Sequence, residues 1–128
     1  MVPIDDSGRN LNSLSLIKEL YLPKNVEIHL IMVKENFYDF RSKEEFDEVR
    51  KDYKGFLEEV MHQLEEYQTV SYIAFGSAGS EILDYAQEIE ANSIIMEKSF
   101  KKNWPLNVGS TTTYIVKNAK CIVMILPE

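Results

Sequence analysis

The sequence is poor in the residues that build cross-links, metal centres and phosphate cradles. It has one cysteine, so no internal disulfide can form, which fits a reducing cytoplasm. Its two histidines, His29 and His62, stand far apart with no cysteine or histidine at ligand spacing, which argues against a metal site. No apolar run approaches the roughly 20 residues that cross a bilayer, and the start lacks the layout of a secretion signal. Positive charge is scarce: 14 Lys and Arg stand against 21 Asp and Glu, a net charge of −7. That balance argues against nucleic acid or an anionic membrane as the main partner. Glycine is missing where it would count most, since only five occur and none lies between Glu97 and Val108.

What is present is enough for one domain with a real core. The chain has 128 residues, 45% of them apolar. Met1-Val2-Pro3-Ile4 is a short apolar strand ending in an Asp5-Asp6-Ser7-Gly8 turn. A typical strand has about five or six residues, so either this one is short or the natural chain begins before Met1. Leu11, Leu14, Ile17 and Tyr21 recur at helical spacing until Pro23 breaks the pattern. Val26 to Val33 is nearly all apolar, as a strand buried on both faces requires. Ser42 and Glu45 form a capping-box signature. The long amphipathic helix after it carries Phe46, Val49, Tyr53, Phe56, Leu57, Val60, Met61 and Leu64 on one stripe, with Gly55 as a point of bending or close approach. Val70 to Phe75 is a further strand, and Gly76 leads into a helix marked by Ile82, Leu83, Ala86 and Ile89 and stopped at Asn92.

The last unit is the most informative. Ser93 to Met96 reads as a buried strand, Glu97 to Pro105 as a polar loop, Gly109-Ser110-Thr111 as a helix start, and Cys121 to Leu126 as a closing strand. Free N–H groups and hydroxyls at such a helix start suit a phosphate or another anion. The strict alternation of strand and helix implies a parallel sheet with helices on both faces. In such a fold ligands sit beyond the carboxyl ends of the strands. Asp5, Asp6, the loop after Val33, Gly76 and the Glu97–Gly109 loop all fall on that edge.

Taken in order, Val2-Pro3-Ile4-Asp5-Asp6-Ser7, Gly76 with Glu81-Ile82-Leu83-Asp84-Tyr85-Ala86, Ala91 to Met96, Gly109-Ser110-Thr111 and Ala119 to Ile125 resemble the universal stress protein family. The resemblance covers nearly the whole chain. It implies an adenine nucleotide alpha hydrolase-like α/β fold, a five-stranded parallel sheet in the order 3-2-1-4-5 with helices on both faces. It also implies a homodimer through the Cys121–Leu126 edge strand, with a further protein partner. Some members bind ATP through Gly-x-x-Gly, nine residues, then Gly-Ser/Thr. Gly109-Ser110 matches the end of that motif. The earlier glycines would fall at Met96 and Ser99, or at Glu97 and Phe100 in the adjacent register, and no glycine stands at any of them. The residues that the resemblance places at a nucleotide are Pro3, Asp5, Asp6, Val33, Met96, Lys98, Gly109, Ser110 and Thr111, and weak or absent ATP binding is expected.

The reading from residues alone leaves alternatives beside each candidate. Asp5 and Asp6 suit a ribose or magnesium contact, or a turn that caps the next helix. Lys98, Lys101 and Lys102 suit phosphate, or a solvated loop. Phe37, Tyr38, Phe40 and Trp104 suit stacking on a base or a partner, or packing over the sheet end. His29 reads as a satisfied core histidine and Cys121 as an inert core thiol. A receiver domain also has an acidic pair after its first strand, but its phosphorylatable aspartate and its lysine are replaced here by Phe75-Gly76 and Leu126-Pro127. The expectation is thus a cytoplasmic binding or adaptor protein, not an enzyme in its own right. The alternatives are an ATP-binding switch with slow hydrolysis and a bare oligomerisation module.

Overall fold

The computed structural model describes residues 1–5, 11–97 and 109–126. Among these residues five strands and four α-helices alternate: β1 (Val2–Pro3), α1 (Leu11–Leu20), β2 (Glu27–Lys34), α2 (Lys43–Gln63), β3 (Gln68–Phe75), α3 (Ala78–Glu88), β4 (Ser93–Glu97), α4 (Ser110–Asn118) and β5 (Ile122–Leu126). All strand pairs are parallel. The α/β class is as the alternation required.

The single five-stranded sheet in the order 3-2-1-4-5 is corrected. The ladders divide into a three-stranded sheet, β1-β2-β3, and a two-stranded sheet, β4-β5. What joins them is local: Met1 donates its amine to the Ser93 carbonyl at 2.8 Å and accepts from the Ile95 N–H at 2.9 Å. The physical reason lies in β1, which has only two residues. Ile4 turns its N–H to Ile31 of β2. Backbone groups alternate sides along a strand, so Pro3 falls on the same side as Met1, facing β4, and proline has no N–H to give. The ladder across this seam ends where it begins.

Packing spans the seam where hydrogen bonding does not. One core cluster joins Val2, Leu30, Ile95, Leu14, Ile17, Leu57 and Leu64; the other joins Ile31, Ile94, Met96, Ile82, Tyr85 and Ile115. Each therefore takes side chains from both sheets. Burial of such side chains stabilises by about 1.5–3 kcal/mol each.

Local sequence explains the element ends. Ser42 caps α2 by accepting from the Glu45 N–H, and the Glu45 carboxylate reaches back to the Arg41 N–H at 2.9 Å, so the capping box forms with its return bond one residue early. Gly55 is approached by nothing, because a Cβ built there meets no atom within 4 Å. Helix α3 ends at Glu88, not at Asn92; Glu90 takes a left-handed φ of 53° and lets the Ala91 N–H close on Ala86. Strand β3 starts two residues before the apolar run, because Gln68 and Thr69 pair with Glu27 and Ile28 through the backbone alone. Gly79 in the first turn of α3 is in close contact with α4: a Cβ there would lie 2.7 Å from Cδ1 of Tyr114.

Candidate functional site

At the carboxyl ends of β1, β2 and β4 a cleft of about 180 Å³ opens between the starts of α3 and α4. Its walls are apolar: Pro3, Ile4, Ile31, Val33, Ile82 and Met96. Its polar rim is Asp5, Glu97 and Thr111, with Ala78 at the start of α3. Of the residues expected at a ligand, Pro3, Asp5, Val33, Met96 and Thr111 meet here. Gly109 and Ser110 form the start of α4 beside it. Asp6 and Lys98 lie outside the described residues, as do Lys101, Lys102 and Trp104.

Helix starts are the natural seats for anions, since their first N–H groups have no partner within the helix. Carboxylates already hold N–H groups at the start of α1, which is not part of the cleft's lining, and at the start of α3, which is. Oε1 of Glu97, the last residue of β4, accepts from the Ser13 N–H at 3.0 Å and stands 3.4 Å from the Ser13 hydroxyl, in the first turn of α1. Oε1 of Glu35 accepts from the Ala78 N–H at 2.8 Å, at the first residue of α3. At the third start, Gly109 offers α4 no side-chain cap. Two residues into α4, the Thr112 hydroxyl is fully buried and has no hydrogen-bond partner among the described residues. Gly76, ahead of α3, has a φ of +156°, and a Cβ there would lie 2.6 Å from Oε1 of Glu81. A side chain at position 76 would push that carboxylate away.

Sequence reasoning placed Glu97 at the head of the polar loop, whereas it ends β4, and missed its bond to Ser13. It missed Glu35 altogether. The available signal was an acidic residue directly after a strand, on the edge where the next helix begins.

The aromatic loop divides between its two readings. Phe40 packs edge-on against Phe46 at 4.7 Å, and Phe46 lies 5.3 Å from Phe75. Tyr38 stays 75% exposed and donates to Asn36.

A second, larger cavity of about 550 Å³ lies at the opposite, amino ends of the strands, lined by Ile17, Tyr21, Glu27, His29, Glu90 and Ser93 among others. His29 bridges Glu27, 2.6 Å from Nε2, and the Tyr85 hydroxyl, 2.9 Å from Nδ1. It is satisfied on both nitrogens, as expected of a core histidine. Tyr85 also stacks on Tyr72 at 4.5 Å. Burial pushes the Tyr85 phenol above its usual value of 10, reinforced by Glu88, Tyr72 and Glu27. Cys121 is half-buried and sits one residue ahead of β5, so the edge strand runs from Ile122. Among the described residues no group of acidic, histidine or cysteine side chains is placed to hold a metal ion, and no helix is long and apolar enough to cross a membrane.

The model of the universal stress protein family matches residues 1–127. The chain belongs to that family. Solved structures agree on the fold. Hypothetical protein MJ0577 is similar at 24% identity, with 99% of this chain and 94% of that one covered and a TM-score of 0.83. The universal stress protein UspA of Lactobacillus plantarum is 19% identical over 98% of this chain and 95% of its own, with a TM-score of 0.68. A universal stress family protein of Arabidopsis thaliana, solved with AMP bound, is 15% identical over 99% and 90%, with a TM-score of 0.62. No curated protein sequence matches the chain.

Proposed function

We infer that this universal stress protein works by binding, as a cytoplasmic homodimeric adaptor that holds ATP weakly or not at all and is not an enzyme in its own right. The observation that carries the reading is the side of β5 that pairs with no strand among the described residues. Ile122 and Ile125 are 64% and 37% exposed, and Val116 and Tyr114 on the neighbouring helix α4 are 54% and 45% exposed. An apolar edge strand of this kind invites pairing with another strand. Pairing with the same strand of a second copy closes under two-fold symmetry, so growth stops at two. The weak-ATP part rests on the glycine-free stretch from Glu97 to Val108 and on a cleft of about 180 Å³, where sites for drug-sized ligands hold about 300–1,000 Å³.

The test is sedimentation at tens of micromolar, beside a calorimetric titration with Mg-ATP. A dimer is expected for the native chain. Ile122→Glu, which changes a side chain already exposed in the protomer, should weaken the dimer at least about tenfold. A monomeric native chain would overturn the reading. The second reading, a nucleotide-binding switch with slow hydrolysis, draws support from the AMP held by the plant relative. A micromolar dissociation constant for Mg-ATP, about −8 kcal/mol, would favour it.

A further inference from the structure

We propose that the outer edge of β3 is a docking strand for a basic, extended segment of a partner protein, whose Lys or Arg side chain is received on the ring of Tyr72 beside the carboxylates of Glu27 and Glu88. The proposal rests on the reading of this chain as an adaptor. It goes further by naming the partner's chemistry and the surface that takes it, on a different strand from the dimer.

The main chain supplies the first half of the argument. Among the described residues β3 pairs with β2 alone. The Gly76 N–H that follows β3 donates to the Lys34 carbonyl of β2 at 3.1 Å. Backbone groups alternate sides along a strand. Ala74, Tyr72 and Val70 therefore give their groups to β2, and those of Ile73, Ser71 and Thr69 turn outward. Natural edges are blunted by charge, proline, a bulge or shortness. Strand β3 is eight residues long with no charged residue and no proline, and its register with β2 runs without a bulge. Such an edge is what an added strand needs.

The side chains choose the kind of strand. Val70 stands opposite His29 and Tyr72 opposite Ile31, on the face that α3 covers. That cover stops short of β3's amino half: Ala74 is 4% exposed, Tyr72 41% and Val70 38%. One face of the Tyr72 ring stacks on Tyr85 at 4.5 Å and 12°, so its exposed share is the other face. Tyr85 is held by His29, and His29 by Glu27. Glu88 and Glu27 both act on the Tyr85 phenol, and Glu65 and Glu66 are exposed just ahead of β3. An aromatic face flanked by carboxylates attracts a cation. The other end of the strand is positive, with Arg50 placed 5.3 Å over the Phe75 ring and Lys34 paired beside it. The ligand's positive charge is thus directed to the amino end of β3, where an acidic segment would meet like charge.

Fluorescence anisotropy with the full chain tests this. The probes are two labelled seven-residue peptides, one alternating arginine with valine and one alternating glutamate with valine. The basic peptide is expected to saturate below about 1 mM and the acidic one to bind at least about tenfold more weakly. Ser71→Pro removes an outward donor and leaves the ladder with β2, so it should weaken the basic peptide at least about fivefold. Glu88→Gln should weaken it about two- to threefold. Circular dichroism checks folding; if Ser71→Pro does not fold, Tyr72→Ser takes its place, with at least about a fivefold loss expected. Equal binding of the two peptides, no saturation below about 1 mM, or undiminished affinity in the folded Ser71→Pro or Tyr72→Ser variant would overturn the proposal. Native assemblies larger than a dimer that Ser71→Pro reduces to dimers would show that a second copy takes this edge, and the proposal would fall. Sedimentation of the same samples decides the dimer separately, so failure here leaves that reading standing.

Discussion

The two ends of the strands differ in a way that size alone would misread. The amino end holds about 550 Å³ and the carboxyl end about 180 Å³. Yet the smaller site has the directional chemistry, because the starts of α3 and α4 face it and a strand-end carboxylate reaches the start of α1. The larger one is bordered by helix and loop ends, and its histidine is bonded on both nitrogens. In a parallel sheet all strands point the same way, so helix N-termini gather at one end and C-termini at the other. The comparison teaches that the direction of the backbone, rather than the volume of the hole, marks the candidate site.

The largest effect that could break this comparison is at the amino end. Ile95 is 4% exposed, lines the larger cavity and belongs to the core. Ile95→Ala should cost about 2–4 kcal/mol in chemical denaturation and leave ligand affinity at the carboxyl end unchanged within about twofold. Lost affinity in a folded variant would show that the two ends are coupled. A smaller effect of opposite sign belongs to the carboxyl end. The Thr112 hydroxyl is buried without a partner among the described residues, so Thr112→Val should stabilise by about 1 kcal/mol. Destabilisation would mean that the hydroxyl is used.

The smallest effect sharpens the contrast through pH. The raised Tyr85 phenol keeps its proton in the folded chain while the unfolded chain releases it near its ordinary value of about 10. Its contribution is therefore present below about pH 10 and is lost as pH rises through the folded-state value. Denaturation midpoints measured from pH 9 upward should fall, and Tyr85→Phe should flatten that fall. An unchanged slope in the variant would place the titration elsewhere.

Much of this was legible in the sequence, and the rest had identifiable physical obstacles. The α-helices and the apolar strands follow from spacing, as with Leu14 and Ile17 in α1 or Ile94 to Met96 in β4, because periodicity is a local signal. The cleft residues Pro3, Asp5, Val33, Met96 and Thr111 followed from strand ends and the family motif. The bonds that give the cleft its character did not. Glu97 and Ser13 are 84 positions apart, and Glu35 and Ala78 are 43 apart. No local pattern announces such a pair; only the register of the strands brings each one together. The division of the sheet turned on Pro3, whose missing N–H matters only once its side of the strand is known.

Gly79 acts as a caliper. Its hydrogen takes the place of a side chain, so the Tyr114 ring of α4 can rest against the backbone of α3. Ala78 precedes it and Thr111 lies one turn before Tyr114, and these two stand on opposite jaws of the cleft. The thickness of whatever occupies position 79 therefore sets how far the jaws are held apart. A methyl group there would act as a shim, which makes the gauge of this opening adjustable at a residue outside the cleft's lining.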